Sequence, residues 1–324
     1  MLAEDVLSLD CARESERIAQ ALKQIVAVQL RRRGAVVALS GGVDSAVAAA
    51  LAARALGSAR VLGLLLPENE SSPASEECGE LVATALGIGW ERQHIGAALE
   101  AIGCYRSRDD AVRQLFPEYD VSWKLKIVIA RLPRTGLSYF NLVVQRPDGV
   151  VIKKRLTAQA HRLLLAATSY KQRLRKAVEY FWADRLHYAV VGTPNRLEYD
   201  QGFFVRNGDG AADVKPIAHL YKSQVYALAR HLGLPDAILR ARPTTDTFSL
   251  EQGQDEFYFG RPYKQMDILL WARDHRVSAP RAGEMTGLSA ADVELAYADI
   301  DSKRRAAAYL RAPAALVDPA LPHD

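Results

Sequence analysis

The stretch Ala35-Val36-Val37-Ala38-Leu39 is continuously apolar and runs straight into Ser40-Gly41-Gly42-Val43-Asp44-Ser45, then into an alanine-rich segment from Ala46 to Leu56. This sequence of features restricts the fold more than any other. A short unbroken apolar run reads as a strand buried on both faces, as in a parallel sheet. Two adjacent glycines permit a sharp turn, and the alanine-rich run is good helix-forming sequence. A strand, a tight turn and a helix in that order place backbone N–H groups at a helix N-terminus, where phosphate oxygens can approach closely.

The same alternation extends on both sides. Ile18, Leu22, Ile25, Val26 and Leu30 recur at helical spacing over 12–30, and Arg31-Arg32-Arg33-Gly34 suits a helix end with a glycine cap. A second strand is expected over Val61–Leu66, a helix capped by Ser75 and reaching Leu86, a third strand over Trp90–Ile95 and a helix from Ala97 toward Leu115. The expected fold is therefore α/β, a doubly wound, Rossmann-like parallel sheet with flanking helices. The pattern breaks over 117–157. There the runs Leu125–Ile129, Phe140–Val144 and Val150–Ile152, with Pro147-Asp148-Gly149 before the last, predict an inserted β-hairpin turning at Asp-Gly. Helix and strand signals resume at Tyr170–Trp182, Tyr188–Val191 and Ser223–Leu232, and 262–324 reads as a helical C-terminal segment. One domain over 1–324, carrying the insertion, is the expected organisation.

Composition narrows the class without choosing a ligand. The 324 residues are 49% hydrophobic and 25% charged, ordinary for a globular chain, so neither disorder nor a fibrous repeat is suggested. A formal net charge of +4 is small for this length and suits an anionic ligand as readily as a nucleic acid; Arg31–Arg33 fits a helix end better than a nucleic-acid patch. Three separated cysteines, Cys11, Cys78 and Cys104, argue against a disulfide framework or a structural zinc. Glu4 and Asp5 stand where a signal peptide would be basic, and no apolar run reaches membrane-spanning length, so a cytoplasmic, unprocessed protein with no membrane or nucleic-acid partner is expected.

The turn itself carries chemistry. Ser40 and Ser45 add hydroxyl donors to the amides of Gly41, Gly42 and Val43, yet the loop lacks the lysine of a Walker A sequence and has an acid, Asp44, beside the phosphates. An acid there needs a divalent cation between. Mg²⁺ takes one or two carboxylates plus phosphate oxygens, so a second acid from elsewhere in the chain is expected. The bland alternative is a plain glycine turn with an N-cap serine.

Ser40–Ser45 resembles the pyrophosphate loop, SGGxDS, of the N-type ATP pyrophosphatases. The segment Gly192-Thr193-Pro194-Asn195-Arg196-Leu197-Glu198, then Gly202–Asp213, Pro216-Ile217 and Leu220–Gln224, is similar nearly residue for residue to the NAD synthetase family within that group. Lys171-Gln172-Arg173-Leu174-Arg175 resembles the family's Lys-x-Arg-x-Arg helix start, Pro243–Asp246 its second phosphate loop and Lys303-Arg304 its C-terminal basic segment. The resemblance implies an ammonia-dependent, AMP-forming ligase. It would adenylate the nicotinate carboxylate of deamido-NAD with ATP, release pyrophosphate, and amidate the adenylate. It further implies that Asp44 and Glu198 ligate Mg²⁺, that Lys222 and Thr244 contact phosphate oxygens, and that Thr193 and Arg175 lie near ATP. Phe203, Arg206, Asp209, Asp213 and Lys303 would hold the second substrate. Ammonia would arrive free or from a separate glutaminase, and the family's usual homodimer is expected.

Each assignment has a plainer counterpart: Glu198 as a solvated helix acid, Lys222 as a surface lysine, one of Phe203 and Phe204 as core, Asp209 and Asp213 as turn acids beside glycines. Departures from the family's pattern are Leu65 where an arginine usually precedes Leu-Pro, Arg206 for a lysine, Ser169 for an asparagine, Tyr258 for a glutamate and Ser302 for a histidine. They leave room for an amide synthetase acting on another carboxylate, or a non-catalytic homologue. The presence of both Asp44 and Glu198 argues against the latter.

Overall fold

In a computed structural model, which describes residues 5–131, 138–241 and 247–317, the apolar run at 35–39 forms a strand at the interior of a parallel sheet. Strands in chain order are β1 (Ala35–Ala38), β2 (Val61–Leu65), β3 (Gly89–Arg92), β4 (Lys124–Arg131), β5 (Ser138–Gln145), β6 (Val151–Arg155) and β7 (Ala189–Val191). The parallel sheet has the order β3-β2-β1-β7, with Ala35 opposite both Val61 and Ala189. Helices are α1 (Cys11–Gln24), α2 (Val43–Leu56), α3 (Pro73–Leu86), α4 (Gly96–Ala101), α5 (Cys104–Arg113), α6 (Ala158–Leu186), α7 (Arg196–Gln201), α8 (Lys222–His231), α9 (Asp236–Arg240), α10 (Tyr263–Asp274), α11 (Ala279–Thr286) and α12 (Ala290–Arg311).

Side chains alternate across the sheet, so its two faces feed two cores. Ala35, Val37 and Val191 pack with Val47, Leu51 and Val225 from α2 and α8, while Val36, Leu64 and Val190 pack with Leu99, Tyr105 and Val178 from α4, α5 and α6. Helices on both faces make the sheet doubly wound. Helix α2 is buried nearly all round, which accounts for its alanines: small side chains let it lie close against β1, α1 and α8.

Several boundaries differ from the sequence reading. The cap of α3 is Ser72, not Ser75, because Pro73 with its fixed φ takes the first helical position. Gly103, at φ 75°, splits the helix expected over 97–115 into α4 and α5. At the end of the first helix Arg31, at φ 52°, takes the left-handed conformation. Gly34 is needed for space instead, since a Cβ there would lie 2.3 Å from the Arg60 carbonyl oxygen.

Over 117–157 the chain forms a three-stranded antiparallel sheet, β4-β5-β6, where a hairpin is expected. The β5–β6 turn does fall at Asp148-Gly149, with Gly149 at φ 85°. The additional strand β4 pairs along its whole length with β5 and closes a separate core around Phe116, Leu125, Ile127, Leu142 and Leu164. Its outer edge receives 249–252: Leu250 N–H donates to Leu125 O at 3.0 Å, and Ser249 Oγ accepts from Leu125 N–H at 3.0 Å.

Candidate functional site

The loop after β1 is shaped by steric necessity at one glycine. Gly41 has φ 77°, and a Cβ there would lie 2.4 Å from the carbonyl oxygen of Ser75. Only glycine lets the chain turn so close to α3. Gly42 then caps α2 in extended backbone, and Ser45 Oγ donates to Gly42 O at 2.9 Å while accepting from Ser40 N–H at 3.2 Å. These bonds hold the amides at the start of α2 open toward a cleft of ≈ 1830 Å³.

Asp44, in the first turn of α2, meets side chains delivered by two other helix starts. Its Oδ1 accepts from Asn195 Nδ2 at 3.0 Å, and its Oδ2 makes a short ion pair with Lys222, the first residue of α8. Glu198 stands in the first turn of α7 within a capping box: Asn195 Oδ1 accepts from Glu198 N–H at 3.2 Å, and Glu198 Oε2 accepts from Asn195 N–H at 3.1 Å. Its Oε1 accepts from Gln254 Nε2 at 2.9 Å. Asn195 thus links the two carboxylates, and Lys222 is their shared countercharge.

Burial and the neighbouring Asp44 carboxylate push the Glu198 carboxyl up to about 8, only partly offset by Lys222. Burial works against the Lys222 ammonium, but Asp44 and Glu198 outweigh it and hold the group above its ordinary range. Near pH 7 Glu198 therefore keeps a proton while Asp44 pairs with Lys222, and a divalent cation in the cleft would displace that proton and serve both carboxylates as countercharge.

Lys222 is itself positioned by a residue with no signal in the sequence motifs. Asp267 of α10, fully buried, accepts from Lys222 N–H at 3.2 Å and from Ser223 N–H at 2.7 Å and Ser223 Oγ at 2.6 Å, and so satisfies the free amides of α8. Burial raises its carboxyl to about 6. Gln254 is equally unannounced, because its partner Glu198 lies far away in sequence.

The remaining expected residues divide. Thr193, Arg175, Phe203, Arg206 and Asp209 line the same cleft. Arg175 Nε donates to Leu66 O at 3.2 Å, so its guanidinium stands at the exit of β2, while Leu65 is packed in the core. Phe203 stacks on Tyr258, with centroids 4.9 Å apart. Arg206 lies over the Tyr309 ring and donates to Ala312 O at 3.1 Å. Asp209 Oδ1 accepts from Val205 N–H at 2.7 Å, and burial raises its carboxyl. Asp213 and Lys303 are not among the cleft's lining residues. Asp213 accepts from Val190 N–H at 2.7 Å at the edge of β7, and Lys303 donates to Tyr258 O at 2.8 Å and pairs with Asp299 at 3.0 Å. Thr244 falls outside the described residues.

Lys171, in the Lys-x-Arg-x-Arg segment, is buried and donates to Glu68 at 2.9 Å, Glu70 at 2.5 Å and Thr247 O at 2.9 Å. Arg108 extends this network through Glu70 at 2.7 Å and Asp109 at 2.7 Å. These bonds fasten α5, α6, the loop after β2 and the segment after 246 to one another around the cleft.

A doubly wound sheet that presents a lysine-free glycine turn, a helix N-terminus and an acid–ammonium cluster at the carboxyl edge of an interior strand defines an ATP pyrophosphatase-type nucleotide-binding protein. The family model for NAD synthase matches residues 14–116 and 141–305, and the chain belongs to that family. It is 51% identical over 320 residues to an NH(3)-dependent NAD(+) synthetase of Rhizobium meliloti (strain 1021), covering 98% of this chain and 96% of that one. It is 38% identical over 239 residues to the protein of the same name from Thermotoga maritima, covering 74% and 79%. In fold it resembles an NMN synthetase from Francisella tularensis, with a TM-score of 0.65 at 22% identity over 97% of this chain and all of that one.

Proposed function

We propose that this chain uses ATP to adenylate the nicotinate carboxylate of deamido-NAD and then amidates the adenylate with ammonia to give NAD. The observation that carries this reading is the Asp44–Lys222–Glu198 cluster facing the amides of the Ser40–Ser45 loop, in a chain half identical to NH(3)-dependent synthetases. In the first step a carboxylate oxygen bonds to the α-phosphorus of ATP as the bond to pyrophosphate breaks. Negative charge grows on the departing group, toward which the loop amides, the Ser40 hydroxyl and the Lys222 ammonium would act, while Ser45 keeps the loop in shape through Gly42 O. In the second step ammonia nitrogen bonds to the acyl carbon, AMP departs, and a proton leaves the nitrogen. Neither step needs a nucleophilic side chain.

Among the described residues no cluster of three or more His, Cys, Asp or Glu side chains suits a metal ion. Two carboxylate side chains at one cleft suit Mg²⁺, which takes one or two carboxylates and completes its shell with phosphate oxygens and water. Asp44 and Glu198 would hold it, and when bound it supplies charge neutralisation on the phosphates. The same reading takes residues 1–324 as one domain, with 117–157 inserted and 262–324 a helical tail. It also takes the protein as a cytoplasmic homodimer supplied with free ammonia or by a separate glutaminase. No helix among the described residues is long and apolar enough to cross a membrane.

The test is to incubate pure protein with ATP, Mg²⁺, ammonium and deamido-NAD and to follow AMP, pyrophosphate and NAD. The three products should appear in equal amounts. ATP cleavage that requires a different acid would overturn the substrate assignment, and no pyrophosphate under any condition would overturn the enzymatic reading. Sedimentation reads the dimer independently.

A further inference from the structure

Residues 117–140 lie outside both segments matched by the family model, yet among them Val121, Ser122, Trp123, Lys124 and Phe140 line the catalytic cleft. Phe140 of β5 reaches the cleft and lies nearly parallel to the ring of His161 in the first turn of α6, with centroids 4.4 Å apart and planes at 16°. Both rings are half-buried. Burial and the nearby Arg162 lower the His161 pKa, which keeps that ring neutral near pH 7 and suited to stacking. Stacked in this way, each ring covers one face of the other, and the pair from the insertion and α6 offers the cleft an outer aromatic face.

Helix α6 connects that surface to the phosphate end. His161, Leu165, Ser169, Gln172, Arg175 and Glu179 recur at helical spacing, and all of them line the cleft. At 1.5 Å per residue the level of His161 is ~21 Å from that of Arg175, whose guanidinium stands at the exit of β2. The cleft volume, ≈ 1830 Å³, exceeds the ~300–1,000 Å³ that usually encloses one small ligand. ATP held by its phosphates at Ser40–Ser45 leaves the far end for the other substrate.

We propose that the Phe140–His161 pair is a stacking subsite for the second nucleobase of a dinucleotide acid, so that the insertion makes this chain select a dinucleotide over the corresponding mononucleotide. The proposal rests on the functional reading above and adds to it the residues that would read the part of the substrate remote from the carboxylate. An aromatic face suits this role because every base has a π-face, and stacking on an aromatic side chain contributes about 1–3 kcal/mol per base.

The test is steady-state kinetics of Phe140→Ala, His161→Ala and the conservative Phe140→Tyr. ATP, Mg²⁺ and ammonium are held saturating, and deamido-NAD is compared with nicotinate mononucleotide as acid or competitive inhibitor. Either alanine change should raise the KM for deamido-NAD by about 5–150-fold, the range that stacking energy implies, with kcat within about two-fold. The KM for ATP and the constant for the mononucleotide should stay in place, and Phe140→Tyr should restore the wild-type KM. Equal losses with both acids, an unchanged deamido-NAD KM, or a shift confined to ATP would each overturn the subsite. Wild-type protein that makes no NAD from deamido-NAD would instead overturn the functional reading. The subsite is then read by calorimetric binding of deamido-NAD to wild type and Phe140→Ala, where equal affinities refute it. Should Phe140→Ala not fold, as judged by thermal melting, the His161→Ala comparison decides.

Discussion

Replacing Glu198 by glutamine should remove one component of the pH dependence of stability in the ligand-free protein while abolishing turnover. In the fold this carboxyl titrates at about 8, against an ordinary value of 4.5, because burial and Asp44 both oppose its charge. A carboxyl raised in this way stays protonated longer in the folded state than in the unfolded one. Stability is therefore lost as pH rises from about 4.5 to about 8, and changes little beyond. At about 1.36 kcal/mol per pH unit the loss is at most about 5 kcal/mol. A chain of 324 residues has an unfolding entropy of about 0.7 kcal/mol per kelvin, so the melting temperature should fall by up to about 7 °C over that interval. Glutamine cannot ionise and should remove this component. It also places an NH₂ against either the Asn195 N–H or the Gln254 amide, both of which now donate to the carboxylate. A constant penalty of about 1–2 kcal/mol should follow. The assay is thermal melting of both proteins from pH 5 to 9 in EDTA without nucleotide. The wild-type minus Glu198→Gln difference should slope downward with pH and then level off. A difference that is flat across the range would refute the argument, because the cluster would then carry no net electrostatic strain.

Three further changes test other parts of the site. Asp44→Asn should lower pyrophosphate release by at least about 10²–10³-fold, the scale of losing one charge-stabilising group, with an unchanged circular dichroism spectrum; near-normal turnover would remove Asp44 from the machinery. Gly41→Ala must adopt φ near 77° and meet the Ser75 carbonyl, so it should cost about 1–2 kcal/mol from the backbone alone. It should also raise the KM for ATP, and normal melting with normal KM would refute the steric account. Lys171→Met leaves Glu68 and Glu70 without their buried ammonium, and should lower stability by about 3–5 kcal/mol in denaturant titration.

What could be read from the sequence was what is contiguous in it. The strand, turn and helix at 35–56 adopt the expected order because period, glycine placement and helix propensity agree over one short window. Cap positions were harder. Ser71, Ser72 and Ser75 all offer the same hydroxyl, and Pro73 decides among them only when φ is counted along with capping. The branched run Leu125–Ile129 marks strand β4, but the sequence between it and β5 carries no Asp-Gly signal, so the pattern predicts a hairpin where the structure has a three-stranded sheet. Asp267 and Gln254 left no local mark at all, since each acts on a residue 45 or 56 positions away.

Motif membership and side-chain direction also came apart. Asp209 and Asp213 lie four residues apart in one glycine-rich segment, and the sequence gives no reason to treat them differently. The structure does: Asp209 is drawn into the cleft by the Val205 amide, whereas Asp213 satisfies the Val190 amide at the edge of the parallel sheet. An unpaired strand-edge N–H is costly to bury, so a carboxylate beside β7 has structural work independent of any ligand. Lys303 follows the same logic, held by the Tyr258 carbonyl and Asp299. A sequence motif therefore specifies a backbone path with polar groups along it. Which of those groups reach the substrate depends on which backbone amides and carbonyls elsewhere in the fold need partners first.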